Sequence, residues 1–158
     1  HESHLFDLVG DVGSYYLPYV RFLMQNLESP LGEEVDVRFI ILRRQKQEVV
    51  NAFVEKFKRQ GNNPLQVVEN TRRDEWDAVF PKYDTNAPLE TAISWYWEDY
   101  YAEANYLVDK FPNHVRIYET EDLNNAEKIT EILEFVGIEN PRINVGVRKN
   151  KRTDATVF

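Results

Sequence analysis

The residues Val35-Asp36-Val37-Arg38-Phe39-Ile40-Ile41-Leu42, followed at once by Arg43-Arg44-Gln45-Lys46-Gln47-Glu48-Val49-Val50-Asn51-Ala52-Phe53, decide the fold class. The first part begins by alternating and ends as a solid apolar run. That is the pattern of a strand entering a sheet covered on both faces. The second part predicts a helix from Arg43 to Gln60. Val49 or Val50, Phe53 and Phe57 recur at spacings of three and four, and Gly61 supplies a stop.

Upstream, Gly13-Ser14 forms a turn and cap ahead of a helix with Tyr16, Val20, Leu23 and Leu27 on one stripe. Pro18 falls in its first turn, where a missing N–H costs little, and Ser29-Pro30-Leu31-Gly32 breaks the helix. Downstream, residues 61–88 carry Gly61, Pro64, Pro81 and Pro88 and no sustained period, with Leu65 to Glu69 a candidate short strand. An irregular stretch of that length suits a functional loop or lid.

Leu89 to Phe111 is the clearest helix, with Leu89, Ile93, Tyr96, Tyr100, Leu107 and Phe111 on one face and Trp97, Tyr101 and Val108 beside it. Pro112 closes it. His114 to Tyr118 alternates as a short strand, and Glu119 to Leu123 reads as a loop. Asn124 with Glu127 three residues on has the spacing of a capping box. Ala126, Ile129, Leu133 and Val136 then form a helical stripe, which Gly137-Ile138 ends. Strands separated by helices imply parallel pairing and a layered α/β structure.

The 158 residues suit one domain with a real core. With 27 acidic against 19 basic side chains, a net charge of −8 argues against a general nucleic-acid coat. The absence of cysteine removes disulfides, thiolate zinc sites and cysteine nucleophiles together. No apolar run approaches the ~20 residues of a membrane span. No Asn-x-Ser/Thr acceptor site occurs, which leans towards a cytoplasmic protein, with a trimmed luminal domain as the other option.

In an acidic chain the clusters of positive charge carry information. Arg43 and Arg44, with Lys46 beyond, sit at a strand-to-helix turn. Ligands in open α/β sheets bind at the carboxyl ends of strands, and a guanidinium fork matches phosphate or sulfate. Solvated strand ends are the plainer alternative. The second cluster, Arg142, Arg148, Lys149, Lys151 and Arg152, contains no carboxylate. It is either a solvated tail or the seat of an anionic ligand.

Phe39 to Ala52 resembles the strand–Arg–helix segment of PAPS-dependent sulfotransferases, in which an Arg and a Ser eight residues later hold the 3′-phosphate of 3′-phosphoadenosine 5′-phosphosulfate (PAPS). Matching Glu48-Val49 to the family's acidic-Val pair puts that Arg at Arg44. The Ser position becomes Ala52, with Asn51 as a neighbouring substitute. Ile117-Tyr118-Glu119-Thr120-Glu121-Asp122-Leu123, with the helix ending Leu133-Glu-Phe-Val-Gly-Ile138, is similar to the family's Tyr-Glu-Asp-Leu strand and the helix after it. Tyr118 then borders the adenine. Val147-Arg148-Lys149-Asn150 resembles the Arg-Lys-Gly loop that closes on the 3′-phosphate, and His1 to Phe6 with Gly10-Asp11 resembles the region after the family's first helix.

The resemblance implies a three-layer αβα, P-loop nucleotide-hydrolase-like fold of sulfotransferase type, as one domain over 1–158. The family's first strand, phosphosulfate-binding loop and helix are not among these residues, so the domain is expected to be N-terminally incomplete. The implied activity is sulfuryl transfer from PAPS, as co-substrate and without a metal, to a hydroxyl or amine of a small molecule or carbohydrate. Arg44, Asn51, Tyr118, Arg148 and Lys149 are the implied cofactor-binding residues, and Glu2 or His4 the candidate base. Several plainer readings stand beside these. Glu2 and His4 could be an exposed end, and His1 and His4 a metal pair without a third ligand. Trp95 and Trp97 suit a core-facing helix better than a substrate stack, and Glu119, Glu121 and Asp122 suit a loop and helix start. Two other functions fit the layout: a non-catalytic nucleotide- or anion-binding relative, and a P-loop kinase-like phosphotransferase. The kinase would need a Gly-x-x-x-x-Gly-Lys-Ser/Thr loop not found here.

Overall fold

A computed structural model describes residues 10–13, 16–26, 36–60, 83, 87–143 and 145. Along the chain run α1 (Leu17–Asn26), β1 (Phe39–Arg43), α2 (Lys46–Gln60), α3 (Leu89–Lys110), β2 (Val115–Glu119), a single 3₁₀ turn (Thr120–Asn124) and α4 (Ala126–Phe135). β1 and β2 pair in parallel, from Phe39 opposite Val115 to Arg43 opposite Glu119. The chain is therefore of mixed α/β type with parallel pairing, as the alternation of strands and helices implies. Among the described residues no helix is long and apolar enough to cross a membrane.

α3 organises the packing. Its Tyr101, Ala104 and Leu107 join Leu17 and Val20 of α1, Ile41 of β1 and Val115 of β2 in one buried cluster. About two turns nearer its start, Ile93 meets Val50, Val54 and Phe57 of α2. The small residues Ala92 and Ala104 are almost fully buried, which lets neighbouring backbones approach this helix closely. Burying a leucine-sized side chain contributes roughly 1.5–3 kcal/mol, and Leu107 and Ile93 are both wholly enclosed.

The other face of β2 meets α4. Arg116 and Tyr118, two apart and so on one side of the strand, reach Phe135 and Glu131 respectively. Two guanidinium groups approach the Phe135 ring, that of Arg38 at 5.6 Å and that of Arg116 at 4.3 Å from its centre. α4 ends in a Schellman motif. The Ile138 N–H donates to the Leu133 carbonyl at 2.9 Å and the Gly137 N–H to that of Glu134 at 3.0 Å. Gly137 takes φ +83°, which only glycine adopts without strain.

Several local details differ from the sequence-based expectations. In α4 the buried residues are Ile132 and Phe135, while Ala126 is exposed. On β1, Ile40 and Leu42 are exposed, so one face of the strand is open. The strand begins at Phe39; Asp36 to Arg38 are not in it, and Val35 lies outside the described residues. The following helix begins at Lys46 because Arg43 completes the ladder and Arg44 and Gln45 make the turn. The N-cap of α4 is Asn125, not Asn124: its side chain accepts from the N–H groups of Glu127 and Lys128. Two adjacent asparagines cannot be ranked by composition, and the 3₁₀ turn after β2 uses up the first of them. In α1 the inward residues are Leu17, Val20 and Met24, while Leu23 is exposed. Apolar side chains surround this helix, so its period alone does not choose a face. Leu27 and the segment Leu65 to Glu69 lie outside the described residues.

Candidate functional site

The carboxyl ends of β1 and β2 bring together Arg43, Arg44 and Lys46 with three carboxylates from three different elements. Arg43 faces Glu119 across the last rung of the sheet, and its Nε donates to Glu119 Oε1 at 2.7 Å. That hydrogen bond holds the Arg43 guanidinium even more firmly protonated than usual. Lys46, at the start of α2, pairs with Glu98 of α3. Arg44 pairs within its own segment: its Nε donates to Glu48 Oε2 at 2.8 Å, one helical turn on.

Two aromatic residues of α3 fix the backbone of this turn. Trp97 Nε1 donates to the Arg44 carbonyl at 3.0 Å. The Tyr101 hydroxyl donates to the Leu42 carbonyl at 3.1 Å and accepts from the Arg44 N–H at 3.3 Å. Spaced by four, the two rings stand on one helix face with centroids 4.7 Å apart. Burial raises the pKa of Tyr101, so its hydroxyl keeps the proton that it donates. The result is a strand end whose backbone is tied to α3 while the Arg44 side chain remains about half exposed.

Of the candidate cofactor-binding residues, Arg44, Asn51 and Tyr118 lie within the described residues. Asn51 is exposed in the second turn of α2, and its Oδ1 accepts from Gln47 Nε2 at 2.9 Å. Tyr118 stands opposite Leu42 in the register, at the same end of the sheet as Arg44. It is 5% exposed, and its hydroxyl donates to Glu131 of α4 at 3.2 Å. Glu2, His4, Arg148 and Lys149 lie outside the described residues, and so do His1, Lys151 and Arg152. Arg142 is described and exposed.

No family model, no curated protein and no solved structure matches the chain.

The acidic residues after β2 build the turn. The Glu119 N–H donates to Asp122 Oδ2 at 2.9 Å, and the Glu119 side chain reciprocates in a capping box. Trp95 is exposed beside Tyr83, with ring centres 5.9 Å apart, whereas Trp97 packs against the core. Among the described residues no cluster of His, Asp or Glu is arranged to hold a metal ion.

The partners of Arg43 and Lys46, and the aromatic clamp on the Arg44 backbone, were not legible in the sequence. Glu119, Glu98 and the Trp97–Tyr101 pair lie 52 or more residues away from the groups that they hold. Two signals pointed towards the clamp and towards the partner of Arg44. Trp97 and Tyr101 are spaced to share a helix face, and each carries a polar tip that needs a partner when buried. Glu48, four residues after Arg44, has the spacing of a helical ion pair.

Proposed function

We propose that the chain binds the 3′-phosphate of PAPS through Arg44 and acts as a sulfotransferase on a hydroxyl or amine of a small molecule or carbohydrate. The observation that carries this reading is the setting of Arg44. It stands at the carboxyl end of a parallel strand, ahead of a helix N-terminus, on a backbone clamped by Trp97 and Tyr101. Among the described residues its guanidinium is bonded through Nε alone, and to an exposed carboxylate of its own segment, so its Nη nitrogens keep donors for an anion. Arg43 lacks that freedom because Nε and Nη2 both reach Glu119.

The residues fit the nucleotide in part. Arg44 supplies a charged donor, and Asn51 carries an amide where the family's serine would stand one residue later. Tyr118 lies at the same end of the sheet, its ring mostly covered by α4. The three-layer P-loop-like fold, and the roles of Arg148 and Lys149 over the 3′-phosphate, are parts of the same proposal. Sulfuryl transfer forms a bond from the acceptor oxygen or nitrogen to sulfur as the bond from sulfur to the 5′-phosphate oxygen breaks. A base, Glu2 or His4, takes the acceptor's proton, and fixed cations stabilise the leaving phosphate.

Calorimetry with adenosine 3′,5′-bisphosphate and 5′-AMP tests the reading. The bisphosphate binds more tightly, and Arg44→Ala costs about 1.5–3 kcal/mol of that affinity. Equal affinities for the two nucleotides, or undiminished binding by the variant, overturn the assignment.

A further inference from the structure

The three cations at the strand end are neutralised in different ways. Glu119 and Glu98 tie one element to another, β2 to β1 and α3 to α2, so releasing Arg43 or Lys46 loosens tertiary structure. Glu48 stands on the same segment as the arginine that it holds, with both side chains about half exposed. An exposed pair of this spacing is among the weakest of ion pairs. Arg44 is thus the one cation of the three that can change partner without parting two elements.

Resting on the nucleotide reading above, we propose that Glu48 is a resident counter-ion that an incoming phosphate displaces from Arg44, so that Glu48 sets a ceiling on the site's affinity. A carboxylate bonded to Nε occupies one edge of the guanidinium fork, and a phosphate engaging Nε and an Nη nitrogen must take that edge. The displaced Glu48 carboxylate, rooted one turn into α2, stays close to the phosphate and repels it. Both effects weaken binding in the same direction. In a transferase they favour release of the bisphosphate product, whose 3′-phosphate would otherwise hold it in place.

The opposite role is that Glu48 holds the Arg44 side chain ready for the anion, and the two roles differ in sign. Adenosine 3′,5′-bisphosphate is titrated by calorimetry into the 158-residue chain and into its Glu48→Gln, Arg44→Ala and doubly substituted forms. Displacement predicts that Glu48→Gln tightens binding by about three- to tenfold, with a smaller gain when Arg44 is already alanine. Unchanged or weaker binding by Glu48→Gln, in a chain whose binding still depends on Arg44, overturns the counter-ion role and leaves the nucleotide reading standing. Binding that ignores Arg44→Ala overturns the nucleotide reading itself. Circular dichroism of each variant separates a change at the site from a loss of fold.

Discussion

Arg43 and Glu119 stand opposite each other at the last rung of the parallel strand pair, and their ion pair closes the carboxyl end of the sheet. Both side chains are about one-third exposed, and two guanidinium nitrogens share one carboxylate oxygen. The pair joins strands separated in sequence by α2 and α3, so it acts as a tertiary staple at the edge of the candidate site.

A double-mutant cycle on Arg43→Ala and Glu119→Ala gives a coupling energy of about 1 kcal/mol, the upper range for partly exposed pairs. Chemical denaturation of the four proteins measures it. Additive losses would mean that the two side chains act independently and that the backbone ladder alone holds this end.

Tyr101→Phe removes one hydroxyl and leaves both the Leu42 carbonyl and the Arg44 N–H without it. The expected loss is about 1–2 kcal/mol of stability. Hydrogen exchange gives a sharper readout: the Arg44 amide exchanges faster in the variant, while Leu107 in the middle of the core stays protected. Equal protection of the Arg44 amide in both proteins would show that the hydroxyl does not hold the turn.

Glu131 of α4 is held below the ordinary glutamate value of 4.5, first by its hydrogen bond from Lys128 and further by Tyr118 and Arg116. A depressed folded-state value stabilises the fold above pH 4.5, and the contribution fades as the pH falls through that lower value. Glu131→Gln should therefore lower the urea midpoint by more at pH 7 than at pH 3. A difference that persists undiminished at pH 3 would assign the role of Glu131 to packing, not charge.

The main elements were legible because each rests on local chemistry. The apolar run of β1 marked a strand, although only one of its faces is covered, with Ile41 buried and Ile40 and Leu42 exposed. The repeated spacings in α2 and α3 define buried stripes. Gly137 marked a helix end that needs positive φ. Where local chemistry offered two equal choices, as with Asn124 and Asn125 or the apolar circumference of α1, only packing could decide.

The sequence by itself determined that Arg43, Arg44 and Lys46 cluster at the end of an apolar strand and that a parallel partner strand lies elsewhere in the chain. It did not determine which of these cations is held. The tertiary structure decided that, because ion-pair partners depend on which strand ends and helix faces meet. Parallel register set Glu119 against Arg43, α3 brought Glu98 to Lys46, and Trp97 and Tyr101 caught the turn between them. Arg44 was left with Glu48, in the first turn of the helix that follows it, as an exposed and therefore weak ion pair.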